Sequence, residues 1–325
     1  MLREDSPILR QPAAPGGPPG HISSVHPLVS IIIPCHGQAH FLGEAIESAV
    51  AQTYQPREII VIDDGSPDDV PAVMKCYPDV RYFRQENRGL AEARNRGLAE
   101  SHGEYVVFLD ADYRLLPTAL WAGAEALASH PECGLVWGHC RRIDAHGRPM
   151  RTSPRTFRGP GSYALLLRRN IVGSPLVAMF RQSVFAAVGG FSSRQRYSED
   201  YEIYLRIART QALWCHAELV AEYRTHDTNM SRDVAGMLHG TLLALEAQES
   251  WVGGDSELRR ALRAGRRDAW ETYDADPRMA ALSVHARARR WGPAIIGATI
   301  LLWRYPRMFL PMLARRMKRG ILPTA

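Results

Sequence analysis

The stretch VVFLDADYRL, Val106 to Leu115, runs four apolar residues straight into two aspartates separated by one alanine. A short unbroken apolar run reads as a strand covered on both faces, as in a parallel sheet. Asp110 and Asp112 are then expected at the exposed end of a buried strand.

Reading outward, similar units precede this one. LVSIII (Leu28–Ile33), EIIVID (Glu58–Asp63) and VRYF (Val80–Phe83) read as buried strands. FLGEAIESAVAQT places Phe41, Leu42, Ala45, Ile46, Ala49 and Val50 on one helical face, and GLAEARNRGLAESHG forms a second helix ending near Gly103. This alternation predicts a doubly wound α/β sheet with right-handed crossovers. Such sheets bind ligands at the carboxyl ends of their strands. PCHGQ, DDGS and DAD should therefore share one acidic rim. Further on, GLVWGHC and PLVAMF (Pro175–Phe180) read as strands, and SEDYEIYLRIART as a helix opened by Ser198 with acids in its first turn. ALWCHAELVAEYRTH is expected to supply two short strands, and residues from 233 onward to be helical.

Carboxylates at i and i+2 on a turn can converge on Mg²⁺ or Mn²⁺, hard cations that prefer oxygen ligands and share them with substrate phosphates. Such a metal neutralises the charge that develops on a departing diphosphate. A solvated turn has the same spacing. Asp64 ends a second strand on the rim, where a carboxylate could accept from a base N–H or a ribose hydroxyl, while Asp63 would cap the following helix. Glu199 and Asp200 either match a helix dipole or do chemistry.

Three separated blocks, VSIIIPCHGQAHFLGEAIESAVAQTYQPREIIVIDDGSPDD, ENRGLAEARNRGLAESHGEYVVFLDAD and SEDYEIYLRIA, together resemble the inverting nucleotide-sugar glycosyltransferases of family 2. Their shared core is a GT-A fold. The resemblance covers residues 28–232 and implies a GT-A domain there, while composition reads 1–27 as a Pro/Gly-rich disordered stretch and 233–325 as a helical, basic C-terminal extension. It also implies that Pro34 and Asp64 lie against the nucleotide base and that Arg94 contributes to the nucleotide pocket. Asp110 and Asp112 would form the D-x-D pair, Asp112 the direct metal ligand and Asp110 nearer the ribose, with His226 facing the metal or diphosphate. Asp200 matches the catalytic base. Gly37 departs from the family's usual Asn, and Tyr113 stands where many relatives repeat an acid.

The implied reaction is a single displacement: Asp200 deprotonates an acceptor hydroxyl that attacks the anomeric carbon opposite the nucleoside diphosphate. Glu199 would orient Asp200 or contact the acceptor. The donor is expected to be a UDP-sugar and the acceptor a saccharide or lipid-linked saccharide, with Mn²⁺ or Mg²⁺ as cofactor. Trp137, His139 and Trp214 border an acceptor pocket or pack in the core. A nucleotidyltransferase is the rival enzyme class, but SIIIPCHGQAHF lacks the glycine-rich basic loop that holds a triphosphate. A catalytically silent nucleotide-sugar binder is the other alternative. No G-x-G-x-x-G follows the first strand, which argues against dinucleotide chemistry.

Composition adds a setting. The five cysteines show no CxxC spacing, so buried thiols in a reducing cytoplasm are expected rather than disulfides or zinc. The start of the chain lacks a signal-like apolar core. From Leu258 onward there are fifteen Lys+Arg and four Asp+Glu, a charge of +11 against +6 overall, so the remainder is mildly acidic at −5. GPAIIGATILLW (Gly292–Trp303) is too short to span a bilayer. With RYPRMFLPMLARRMKRG it could lie on the inner face of an anionic membrane, Trp303, Phe309 and leucines inserted, or form a hairpin packed on the catalytic domain. No nucleic-acid recognition fold accompanies the charge.

Overall fold

The computed structural model describes residues 26–151 and 157–306, with Phe309, Pro311 and Ala314 beyond them. The Pro/Gly-rich start up to Val25 and most of the arginine-rich tail lie outside the described residues.

The first half builds as the apolar runs predict. β1 (Val29–Cys35), α1 (Ala39–Val50), β2 (Arg57–Asp64), α2 (Val70–Met74), β3 (Arg81–Gln85), α3 (Leu90–Glu100) and β4 (Tyr105–Phe108) follow in turn. β1 pairs in parallel with β2 and β4, and β2 with β3. All seven residues of β1 are buried, as two-sided coverage requires. Leu42, Ala45, Ile46 and Ala49 of α1 face the core, but Val50 is exposed and Phe41 only half-buried.

Past the aspartates come β5 (Arg114–Leu115), α4 (Ala119–Ser129), β6 (Cys133–Ile143), β7 (Gly159–Gly161), α5 (Tyr163–Arg168), β8 (Ala178–Arg181), α6 (Ser183–Val188), α7 (Glu199–Ala208) and β9 (Ala212–Arg224). The nine strands form one sheet in the order β3-β2-β1-β4-β8-β6-β9-β5, with β7 beside β9. β8 runs antiparallel to β4 and β6, whereas β6 and β9 are parallel. The expected two strands in ALWCHAELVAEYRTH are one, β9, of 13 residues. Its exposed middle, Ala217 to Leu219, imitates a break, and register shifts near Trp137 and His139 of β6 absorb it. PLVAMF likewise opens with a 3₁₀ turn at Pro175–Val177, because Pro175 has no N–H to give a ladder. Trp137 is core, stacked on Phe157, and Trp214 stacks on His130 at 3.9 Å. Cys35, Cys133 and Cys215 are buried, Cys140 is half-buried, and Cys76 is exposed, contrary to the expectation for every cysteine.

The helices after β9 divide in two. Residues of α8 (Val234–Glu246), α9 (Glu249–Val252) and α10 (Ser256–Trp270) join the main core through Ala244, Leu245, Val252, Ala261 and Leu262. After a π-helical turn at Glu271–Ala275, α11 (Asp276–Arg287) and α12 (Trp291–Arg304) form a hairpin with its own cluster, Ala275, Met279, Leu282, Ala294, Leu301 and Tyr305. Phe309 packs against that cluster, so it is not an exposed anchor. Among the described residues no helix is long and apolar enough to cross a membrane.

Candidate active site

Because β2, β1 and β4 are parallel neighbours, Asp64, Cys35 and the DAD turn end at one edge of the sheet. Pro34 is buried within β1, opposite Ile62. Asp63 is fully buried and accepts from Ser66 N–H (2.8 Å), Tyr82 Oη (2.8 Å) and Arg84 Nη1 (3.0 Å). It pins a turn and does not cap a helix. The Gly65–Pro67 turn delays α2, and Asp69 caps it by accepting from Ala72 N–H. Asp64 fastens the start of α3: Oδ1 takes Gln85 Nε2 and Arg88 N–H, and Oδ2 takes Gly89 N–H at 2.8 Å. With one donor on Oδ2, that oxygen keeps a free lone pair. Gly65 permits the tight bend, with φ +66° and no room for a Cβ, which would lie 2.8 Å from Asn87 N.

Arg94, on the buried face of α3, is the hub of the site. Its Nη2 donates to Asp110 at 2.8 Å and its Nη1 to Glu199 at 2.6 Å, while its plane lies 5.4 Å from the Phe191 ring centroid. Burial alone would lower its pKa, but Asp110 and Glu199 together raise it. One guanidinium therefore joins the D-x-D turn to the first turn of α7. Glu199 is buried and held by Arg94.

Asp200 is half-buried, with its Oδ1 on its own helix at Tyr201 N–H, 2.7 Å. Burial first, then the charge of Glu199, pushes its carboxyl up to about 7, against the pull of Arg94. A carboxyl with that proton affinity can exchange a proton near neutral pH. Ser198 precedes the helix in a left-handed conformation, φ 57°, and does not cap it. Its hydroxyl instead meets Thr241 Oγ1 of α8 at 3.1 Å, and Gln195 Nε2 donates to Gly240 O at 2.6 Å. A Cβ on Gly240 would stand 2.3 Å from Tyr197 O, so only glycine lets α8 approach this loop.

Asp112 forms a second cluster. Its Oδ2 accepts from Asn229 Nδ2 at 3.1 Å and pairs with His226 Nε2 at 2.8 Å. Burial and then the like charge of Asp110 push its carboxyl up to about 6, against His226. Arg224, at the end of β9, donates Nε to Asp112 O (2.9 Å) and Nη2 to Glu44 (2.5 Å), over the Phe41 ring at 4.7 Å. Phe41 also contacts His226, ring centroids 5.1 Å apart. Tyr113 is buried against Tyr223.

Among the described residues no three His, Cys, Asp or Glu side chains gather into one metal-holding group. Asp110 turns to Arg94, while Asp112 and His226 meet. A buried carboxylate raised by burial and by the like charge of Asp110, beside an imidazole, is a donor set that a hard divalent cation would satisfy. Sequence reading missed Arg224, Asn229, Phe41, Thr241 and Gly240. Phe41 was visible only as part of an apolar helix face.

Residues 30–189 match the family described as Glycosyl transferase family 2. An uncharacterized glycosyltransferase from Rickettsia typhi is 30% identical over 234 residues, which is 70% of this chain and 71% of that protein. The chain belongs to glycosyl transferase family 2. Relatives from Rickettsia conorii and Rickettsia felis match at 30% and 29% identity, and the chain spans only about 36% of their length. Among solved structures, Staphylococcus aureus TarS 1–349 in complex with UDP-GlcNAc superposes with a TM-score of 0.62 at 15% identity, over 83% of this chain and 79% of that one. The mannosyltransferase PcManGT from Pyrobaculum calidifontis, in complex with GDP-Man and Mn²⁺, gives 0.55 at 18%, over 87% and 89%. These two likenesses support the family's α/β fold for this chain.

Proposed function

We propose that this site transfers a sugar from a nucleoside-diphosphate donor to a hydroxyl of a saccharide or lipid-linked saccharide, with inversion at the anomeric carbon. The observation that carries this reading is the Arg94 bridge, which joins Asp110 of the DAD turn to Glu199, the residue before the candidate base Asp200. UDP is the favoured nucleotide, by analogy with the UDP-GlcNAc bound to TarS.

Asp200 takes the proton of the acceptor hydroxyl as that oxygen bonds to the anomeric carbon and the bond to the diphosphate breaks. Glu199 and Arg94 hold the helix turn that aims Asp200. Asp64 Oδ2 offers an acceptor to the nucleotide, and Pro34 backs the pocket. Asp112 with His226, and Asp110 nearby, would hold Mn²⁺ or Mg²⁺, which when bound neutralises charge on the leaving diphosphate. A cytoplasmic, membrane-peripheral setting fits the basic extension.

The test is product analysis with UDP-, dTDP- and GDP-sugars and Mn²⁺ over an acceptor panel. Release of nucleoside diphosphate with an inverted anomeric linkage is expected. Release of pyrophosphate would install a nucleotidyltransferase instead, and donor binding with no turnover a silent binder.

A further inference from the structure

None of the described residues covers the outward face of α12. Trp291 is 60% exposed, Ile295 64%, Ile296 63%, Leu302 52% and Trp303 84%. At about 100° per residue these five, with Thr299 and Ile300, fall within about half the helix circumference. Ala294 and Leu301 point the other way, into the hairpin cluster. The face holds no charge, and its one hydroxyl, Thr299 Oγ1, donates to Ile295 O at 2.9 Å within the helix. A soluble surface seldom leaves so many large apolar groups side by side without a partner.

Charge identifies the occupant. Arg287, Arg289 and Arg290 are exposed where the face begins. From Arg287 to the last residue the chain carries nine Lys+Arg and no Asp or Glu. A second copy seated on this face would bring the exposed Arg289 and Arg290 of one hairpin against those of the other, like charge on like, which opposes docking. A surface of anionic lipid headgroups supplies the counter-charge, and its boundary with the acyl chains suits tryptophans at both ends of a short apolar helix. The 14 residues of α12 reach about 21 Å, less than a bilayer's apolar thickness of about 30 Å, so the helix lies in the surface and does not cross.

We propose that the α11–α12 hairpin docks the protein on an anionic bilayer, the Trp291–Trp303 face buried at the headgroup boundary and the arginines among the phosphates. The docking does not depend on the transfer reaction, and its test reads no turnover.

Flotation of the full chain with phosphatidylcholine vesicles, with and without phosphatidylglycerol, is the experiment. The chain should float only with the acidic vesicles, release in high salt, and show a blue shift of tryptophan emission on binding. Ile296→Ser with Trp303→Ser, both at exposed positions, should lower the bound fraction at least about tenfold without moving the melting temperature. Flotation with neither vesicle overturns the proposal, as does binding that ignores the double substitution. Equal binding to neutral vesicles overturns it as well. A dimer that these substitutions dissolve, without vesicle binding, assigns the face to a second copy and also overturns it.

Discussion

Arg94 and Glu199 lie 105 positions apart and meet at 2.6 Å, and the same guanidinium holds Asp110 at 2.8 Å. The fold thereby ties α3 and the DAD turn to the helix that bears the candidate base. The Arg94 side chain is only 2% exposed, so its removal would strand Glu199 in the interior with no cation. Breaking a buried pair in this way costs about 3–5 kcal/mol. Arg94→Ala should lose about that much in urea unfolding. Arg94→Lys should fall between, because one ammonium cannot serve two carboxylates with fork geometry. Equal stability of all three proteins would show that the bridge does not matter.

Asp200→Asn removes proton acceptance with little change in shape. Turnover should drop by about 10²–10⁴ while donor affinity in a titration stays within a few-fold. The wild type should show an acidic limb in kcat/KM near pH 7, from the raised carboxyl of Asp200, and residual activity of the variant should lack it. A variant that keeps wild-type turnover would remove Asp200 from the role.

How much of this was legible beforehand follows from range. The strands of the first half announce themselves because both faces are buried, and Asp110, Asp112 and Asp64 follow from where those strands end. The family likeness points His226 towards a metal or diphosphate; its contact with Asp112 comes from the structure alone. Asn229 was not anticipated, since an amide in a loop has no periodicity to betray it. Asp63 misled because local spacing suits a cap, whereas its partners Tyr82 and Arg84 come from another strand. The buttress from α8 was invisible for a similar reason. Gly240 in an Ala/Leu-rich helix reads as a minor flaw, and only the lack of room for a Cβ, which would stand 2.3 Å from Tyr197 O, explains it.

That buttress is testable. Thr241→Val keeps volume but removes the hydroxyl that meets Ser198, which should cost about 1 kcal/mol in stability. Since Ser198 immediately precedes Glu199 and Asp200, kcat should fall while the donor KM holds. Gly240→Ala, forced against Tyr197 O, should do both more severely. A Thr241→Val protein with unchanged kcat would detach α8 from catalysis.

Asn229 holds Asp112 through Nδ2 and the His226 backbone N–H through Oδ1, the latter at 2.6 Å. Asn229→Ala frees both groups. With the DAD turn loosened, donor affinity should weaken by about tenfold, the scale of one or two lost hydrogen bonds in a buried site. The melting temperature should fall only slightly, since the loop lies outside the main core. Unchanged donor affinity by calorimetry would show that Asp112 is positioned by other groups.

The raised carboxyl of Asp200 also makes a stability prediction with a definite sign. Unfolded, the group ionises near 3.8; folded, burial and Glu199 hold the proton up to about pH 7. Between those values the folded state binds the extra proton, so stability declines as pH rises through the window and the full penalty applies above it. Glu199, also raised by burial, acts in the same direction. Asp200→Asn cannot ionise and escapes this penalty. The variant should therefore melt about 2–4 °C above wild type in mildly alkaline buffer. The difference should shrink as the buffer is brought down towards pH 4, where both proteins carry an uncharged side chain. Scanning calorimetry across that range checks it: a variant less stable than wild type at alkaline pH would mean that Arg94 stabilises the Asp200 carboxylate by more than burial and Glu199 destabilise it.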